Sequence, residues 1–388
     1  MIIALTGSSG SIGKEIIPFL QDLGHQIITI SSSKPNDGVS NFSYADLISH
    51  SIEERVDIFV HLASLNARLD DDNFDQEVTL ATNVMEAMHS LQCQKFIFFS
   101  TAKVYGDNSF IHQTFSELAA PKPTCSYGKA KLQCENLIMH RSETLNINTI
   151  IFRLPPVLNQ FDSSNLGKLI QLSRSNLPMA SLTLGEDNQR SFLSIVNIKE
   201  IMRAILKNPL LIRNNEIYNL ADSNYISLNR LLRLNSSKYI LILPKFVSYL
   251  ALKIPLINRV LLKLYGNFVI ENSEWLGKFK KLRVPVIIFE EPSSEFWRAD
   301  VQHEWPNGLT YWITGFGLPE NRDRPLGIVG GVIISNNDRQ MAELSELRKR
   351  RGAVLSARDA ALFCEKFAGH KEGTENTSGN SAGAETEP

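Results

Sequence analysis

The chain of 388 residues is 43% hydrophobic and 21% charged, the composition of a globular protein with room for two or three domains and a sizeable core. Its 40 basic and 41 acidic residues leave a net charge of −1, which excludes a global field that gathers nucleic acid or anionic membrane. The four cysteines, Cys93, Cys125, Cys134 and Cys364, lack metal-ligand spacing and read as reduced thiols of a cytoplasmic protein with no metal.

IIALTG opens the chain as a strand that starts at residue 2, leaving no place for a signal peptide. A helix from about Ser11 to Leu23 follows. HQIITIS, DIFVHLA (57–63), KFIFFST (95–101) and INTIIFRL (147–154) are further strands, with a helical stretch around 78–91. These runs are apolar without alternation, which means burial on both faces, as in a parallel sheet. Strand–helix alternation predicts an α/β fold, a Rossmann-like doubly wound sheet over 1–158.

From about 159 to 285 the rhythm loosens into helical pieces (165–176, 198–207, 228–234) and short strands near 192–196 and 215–220. This is expected to be a smaller substrate-binding part that returns to the main sheet near 192–222. Residues 239–270 are very apolar but interrupted by Lys245, Lys253, Arg259 and Lys263. The expectation is one or two buried helices, the alternative a cationic face resting on a membrane surface. No uncharged apolar run of about 18 residues predicts a membrane span.

After about 281 the composition shifts. Residues 1–280 hold 16 Lys and 11 Arg, residues 281–388 hold 4 Lys and 9 Arg, and Trp297, Trp305 and Trp312 lie in the latter stretch. Residues 286–388 form an unassigned C-terminal region, with a helical pattern over 339–367 and a polar, small-residue tail after about 369 that reads as disordered.

The chemistry begins at Gly7, Gly10 and Gly13, set between a strand and a helix. Gly7 permits the turn, Gly10 lets backbone approach a pyrophosphate, and Gly13 lets the helix pack on the strand. The helix N-terminus at Ser11 and Ile12 turns free N–H groups toward the anion. The end of the second strand selects the cofactor. Ser31, Ser32, Ser33 and Lys34 stand there with no carboxylate, which favours the 2′-phosphate of NADP over the ribose hydroxyl of NAD.

Ser126-Tyr-Gly-Lys-Ala-Lys131 places Tyr127 and Lys131 four apart, on one face of a helix. The ammonium is expected to lower the phenol's pKa toward working pH, so that Tyr127 passes a proton while a nicotinamide passes a hydride. Upstream, FFSTAKVYG (98–106) puts Ser100 and Thr101 just past a buried strand, where ligands bind an open parallel sheet. Either hydroxyl is placed to polarise a substrate oxygen; a strand-end cap is the plainer role.

These pieces, with ADL (45–47), DIFVHLAS (57–64), TNV (82–84), RLPPV (153–157), RSFLSIVNI (190–198) and EIYNLAD (216–222), resemble the extended short-chain dehydrogenase/reductases, the nucleotide-sugar epimerases and dehydratases. The resemblance covers residues 1 to about 280. It implies a catalytic set of Thr101, Tyr127 and Lys131, and adenine contacts from Asp46 and Leu47. It further implies a cofactor wall of Leu62, Ala63, Ser64 and Leu154, loop support from Asn83, and substrate contacts from Thr101, Lys103, Asn159 and Arg190, the last on a diphosphate.

The lysine of STAKV, the double proline and Asn197 look like a subgroup acting at C4 of UDP-linked N-acetyl amino sugars for surface polysaccharides. Two features depart from the pattern. The usual Tyr-Gly-Pro after RLPPV is Leu158-Asn-Gln160, and the usual LGW-K-P appears only as Leu276-Gly-Lys-Phe. The expected activity is a 4-keto reduction with NADP (or NAD). The neighbouring alternative is an NAD-dependent 4-epimerase, and the remote one an inactive dinucleotide-binding sensor or scaffold. Leu132, Leu137, Ile138 and Met139 on the Tyr127 helix suggest pairing into a two-fold dimer.

Overall fold

The structure, a computed structural model, describes residues 1–31, 40–64, 74–159, 164–175, 179–213, 215–222, 225–234 and 240–272, a few residues up to 278, and six short strands between 286 and 355. Contacts divide the chain into two compact units, 1–282 with 288–295, and 283–287 with 296–388.

The first unit begins β1 (Ile2–Thr6), α1 (Ser11–Asp22), β2 (Gln26–Ile30), β3 (Ser40–Phe42), α2 (Tyr44–Ile48), β4 (Ile58–His61), α3 (Phe74–Ala87), β5 (Lys95–Thr101), β6 (Thr114–Phe115), α4 (Ser126–Leu145) and β7 (Asn148–Leu154). It continues β8 (Val157–Leu158), α5 (Asn165–Arg174), β9 (Met179–Leu182), α6 (Leu184–Asp187), β10 (Leu193–Ser194), α7 (Ile195–Lys207), β11 (Glu216–Asn219), α8 (Leu228–Leu234), β12 (Ile240–Leu243), α9 (Lys245–Leu252), α10 (Pro255–Tyr265) and β13 (Val269–Ile270).

Seven strands form one sheet in the order β11-β7-β5-β4-β1-β2-β3, each neighbour pair parallel. The unbroken apolar runs are buried on both faces, as parallel strands covered by helices must be. The chain moves outward from β1 on one side to β2 and on the other to β4. This reversal opens a crevice at the strands' C-terminal ends, the usual ligand position of an open α/β sheet. Register sets Thr6 beside His61, His61 beside Phe98, and Thr101 beside Leu154. The residues just after these positions share one edge.

The predicted strands and helices of this half are present, and β11 joins the sheet beside β7. β3 and α2, of 3 and 5 residues, are too short to repeat their pattern and give no periodic signal. A local signal for α2 exists: Ser43 Oγ accepts from the Asp46 N–H at 3.1 Å while Asp46 Oδ2 accepts from the Ser43 N–H at 2.7 Å, a capping box.

The smaller part packs α5, α8 and α10 around Leu158, Phe192, Leu231 and Tyr265, beside the parallel pair β9 and β12. Here one expectation is corrected. Residues 239–270 do hold two helices, α9 and α10, but these helices are not buried. Phe246, Tyr249, Leu250, Leu256 and Val260 are exposed, whereas Ser248, Leu261 and Tyr265 face inward. The cause is position: α9 and α10 pack against this small core on one side only, so one stripe of each faces inward and the remaining side chains stay outside.

In the second unit, Trp297–Glu304 and Thr310–Gly317 form an antiparallel hairpin. Val354–Leu355 pair antiparallel with Ile328–Val329, in place of the helix predicted there. Gly352, a poor helix residue by about 1 kcal/mol, lies just before. The rest of 339–367 and the tail after 369 lie outside the described residues. No described helix is long and apolar enough to cross a membrane.

Candidate active site

β1 ends at Thr6 and the chain turns at Gly7, whose φ of +77° lies where side chains are strained. A Cβ on Gly7 would stand 2.7 Å from the Ala63 nitrogen, so the glycine lets the β1 turn press against the β4 turn. A Cβ on Gly13 would stand 2.4 Å from the Gly7 carbonyl oxygen, so α1 starts close against the strand only because this residue is glycine. Around Gly10 the one neighbour within 4 Å of such a Cβ, among the described residues, is Gly7 O. α1 has no side-chain cap at Gly10. The loop therefore pairs a close-packed inner side with an open outer side at a helix N-terminus, a cradle that fits a pyrophosphate.

The β4 turn is held from below. Thr6 Oγ1 lies 2.6 Å from His61 Nδ1 and accepts from the Ala63 N–H at 3.3 Å. His61 is buried, stacked on Phe98 with ring centroids 5.5 Å apart, and pushed down to about 3 by burial and by the Lys131 charge. It is a neutral structural imidazole.

Tyr127 enters from α4, which starts at a Cys125 cap accepting from the Gly128 N–H at 3.4 Å. Gly128 matters as well: a Cβ there would stand 2.6 Å from Lys103 O, so the helix seats against the turn after β5 only without one. The Tyr127 phenol then comes close enough to the hydroxyls of Thr101 and Ser64 for both to pull its pKa down. The residues expected to be catalytic thus meet at the β4–β5 edge. Thr101 also plays the plainer role, accepting from the Lys103 N–H at 3.2 Å as the cap of the short helix Ala102–Tyr105.

Lys131 lies one turn on, buried, 4.6 Å over the Phe98 ring. Its Nζ is 3.0 Å from Glu77 Oε1, and Glu77 is as buried as the lysine. Glu77 was not singled out in the sequence. Its signal was there: on α3 Glu77 falls in line with the apolar residues Ala81, Val84 and Met85, and a carboxylate in that stripe needs a buried partner. The ammonium stays charged, above its ordinary value, because attraction to Glu77 and then Tyr127 outweighs its burial.

The expected lowering of the Tyr127 phenol is corrected. Burial dominates and lifts it; Lys131 pulls it down, but Glu77 pushes it up again. The lysine's effect is present, but it is partly offset by its own counter-ion and outweighed by burial.

The other expected residues fall as follows. Ser31 is buried behind the end of β2; Ser32 and Lys34 lie outside the described residues. Asp46 spends Oδ2 on Ser43, and this backbone bond holds its carboxyl below the usual range. The Leu47 side chain is in the core. Asn83 is half-buried on α3, and Leu154 and Asn159 are buried at and beyond the end of β7.

Lys103 Nζ bonds Asp107 and Asn108 at 3.1 and 3.2 Å. Arg190 is buried, its Nη1 donating to the carbonyls of Lys263 and Leu264 at 2.9 and 2.8 Å, and burial lowers it to about 10. Asn108 Nδ2 donates to the Leu262 and Lys263 carbonyls at 3.3 and 3.0 Å. Lys103 and Arg190 therefore belong to one wall, stitched by the C-terminal end of α10.

Beneath the site Arg153 holds Glu135 through Nε at 3.1 Å and Nη2 at 2.6 Å, and Tyr105 OH through Nη1 at 3.0 Å. Ser100 donates to the same carboxylate at 2.5 Å. Ser100 is thereby committed to the frame, leaving Thr101 as the hydroxyl that reaches Tyr127.

The matching family model, described as the NAD dependent epimerase/dehydratase family, covers residues 3–221. The chain belongs to this family. It is 22% identical over 245 residues to a UDP-glucose 4-epimerase of Vibrio cholerae, covering 60% of this chain and 74% of that protein. It is 25% identical over 256 residues to a dTDP-D-glucose 4,6-dehydratase of Bos taurus, covering 59% and 70%. Among solved structures it shares the fold of a UDP-glucose 4-epimerase of Thermotoga maritima (TM-score 0.54, 19% identity, 71% of this chain and 91% of that one). It also shares the fold of a UDP-N-acetylglucosamine 4-epimerase of Bacillus cereus (TM-score 0.55, 16% identity, 71% and 88%).

Proposed function

We propose that the protein is an NADP- or NAD-dependent oxidoreductase that reduces the 4-keto group of a nucleotide-linked amino sugar. The observation that carries this reading is the meeting of the Tyr127 phenol with Thr101 and Ser64 directly beyond the glycine loop, with buried Lys131 one turn away.

The loop at Gly7, Gly10 and Gly13 holds the dinucleotide, with Ser11 and Ile12 at the α1 N-terminus and Leu62, Ala63 and Ser64 along its side. A bound nicotinamide supplies the hydride. The chain's own residues handle the rest. Tyr127 Oη holds the proton that the substrate oxygen takes up, Thr101 orients that oxygen, and Lys131 stabilises the phenolate left behind. Arg190 and Lys103 serve the sugar-nucleotide side.

The nearest alternative is a 4-epimerase, favoured by the two UDP-glucose 4-epimerases among the curated relatives. The same tyrosine serves both. The reductase reading rests on Ser31–Lys34, where no carboxylate stands to prefer NAD.

The deciding experiment identifies the nucleotide that co-purifies, then offers UDP-4-keto sugars with NADPH or NADH and, separately, UDP-N-acetylglucosamine alone. Loss of nicotinamide absorbance with the keto sugar supports reduction. Interconversion of the finished sugar without added cofactor would replace it by epimerisation.

A further inference from the structure

Helices α9 and α10 turn their apolar residues outward. On α9, Phe246, Tyr249 and Leu250 are exposed at helical spacing; Ile254 in the turn and Leu256, Ile257 and Val260 on α10 are exposed as well, Leu256 to 75%. With Leu241, eight of the eighteen large apolar side chains exposed among the described residues fall within 241–260. Single exposed apolar residues are ordinary, but a cluster of this kind marks a surface that meets something.

The charge around the cluster says what. From Ser223 to Ile270 the chain has no Asp or Glu and carries Arg230, Arg233, Lys238, Lys245, Lys253, Arg259 and Lys263, in a protein whose whole chain balances 41 acidic against 40 basic residues. Arg233 is paired with Glu186 at 2.5 Å. Lys263 stands near Asp107, whose carboxyl its charge helps to lower, whereas among the described residues no ion pair engages Lys245, Lys253 or Arg259. Lys253 instead lies 4.3 Å over the Tyr249 ring, at the border of the apolar face. Apolar side chains flanked by Lys245, Lys253 and Arg259, in a stretch of sequence without Asp or Glu, match the boundary of an anionic bilayer, where apolar groups enter the acyl region and the cations meet headgroup phosphates.

We propose that the α9–α10 hairpin is a docking surface for an anionic phospholipid membrane. A two-fold contact with a second copy is the poorer fit, because it sets the same uncompensated cations face to face. The hairpin lies on the surface rather than crossing, since neither helix is long enough to span. The face is tied to the candidate substrate wall through the α10 carbonyls at Lys263 and Leu264 that hold Arg190. Docking therefore places that wall at the membrane surface. The proposal is independent of the reaction assigned above.

The test is co-sedimentation of the full chain with vesicles of phosphatidylcholine alone or with about one third phosphatidylglycerol. Each lysine or arginine near an anionic leaflet strengthens binding about fivefold, so at least about tenfold more protein is expected on the anionic vesicles, falling as salt is raised. Leu256→Ser with Val260→Ser should abolish binding to both. Lys253→Glu with Arg259→Glu, at exposed positions that leave the fold intact, should remove only the preference for anionic lipid. Absence of binding, or equal binding to both vesicle types, overturns the proposal. So does a concentration-dependent dimer, seen by light scattering, that Leu256→Ser dissolves. Hydrogen-exchange protection of 246–260 that depends on residues 296–388 and not on vesicles overturns it too.

Discussion

Lys131 Nζ and Glu77 Oε1 lie 3.0 Å apart with both side chains 1–2% exposed, so the lysine beside the Tyr127 phenol carries its own buried counter-ion. α3 supplies the carboxylate and α4 the ammonium, and the two helices meet against the same sheet face. This pair sets the electrostatics of the site. Glu77 keeps Lys131 charged, and the same carboxylate raises the Tyr127 phenol that Lys131 lowers.

Glu77→Gln should therefore act twice. Breaking a buried pair leaves an uncompensated ammonium and costs about 3–5 kcal/mol, measurable by urea denaturation. In the protein that still folds, Tyr127 loses one of the causes that raise it. Reduction needs the protonated phenol, so its rate falls as pH rises through the Tyr127 pKa, and that fall should begin at lower pH than in the unaltered protein. A basic limb that stays in place would show that Glu77 does not tune Tyr127.

Tyr127→Phe keeps the ring and removes the proton. Turnover should drop roughly 10²–10⁴-fold, the ordinary worth of a general acid, with cofactor affinity almost unchanged by fluorescence titration. Lys131→Met should lower both. Equal turnover by Tyr127→Phe would remove this residue from the mechanism.

Gly13→Ala and Gly24→Ala separate steric fit from backbone strain. At Gly13 the added carbon meets Gly7 O at 2.4 Å, α1 must shift, and dinucleotide affinity should fall at least about tenfold. At Gly24, φ is +81° with nothing within 4 Å among the described residues. Alanine there should cost about 1–2 kcal/mol of stability through its left-handed backbone and leave affinity alone. Calorimetry and titration on both variants check the contrast.

Asp222 predicts a pH dependence of stability. Its carboxylate accepts from the Ser194 N–H at 3.0 and 3.2 Å and from Asn197 at 2.5 Å, yet burial raises it from 3.8 to about 7. Between those values the folded chain holds a proton that the unfolded chain has released. Stability from this group is therefore present below about pH 4 and lost as pH rises toward 7, by up to about 1.4 kcal/mol per pH unit. The unaltered protein should lose melting temperature relative to Asp222→Asn as pH goes from 4 to 7. A constant difference between the two across that window would refute the assignment.

The cofactor expectation is tested at β2. With Ser32 and Lys34 and no carboxylate at residues 31–34, NADPH should bind more tightly than NADH. Ser32→Asp should reverse the order by repelling the 2′-phosphate. A preference of the unaltered protein for NADH would favour the epimerase.

What the sequence alone determined about this protein is local. The spacing of Gly7, Gly10 and Gly13, the unbroken apolar runs of the strands, and Tyr127 four residues before Lys131 each follow from geometry within a few residues, since strand and helix periods are short-range rules. The tertiary structure decided what depends on distant partners. Glu77 meets Lys131 across 54 positions only because α3 and α4 pack side by side, so the phenol's environment differs from the one the Tyr–Lys spacing implies. Ser100 and Thr101 are adjacent hydroxyls, and the β5 register sends one to Glu135 and the other toward Tyr127. The apolar run 239–270 reads like core, but its helices pack against the smaller part on one side only. Ser248, Ala251 and Leu252 of α9 and Leu261 and Tyr265 of α10 turn inward, and this leaves Phe246, Tyr249 and Leu256 facing out.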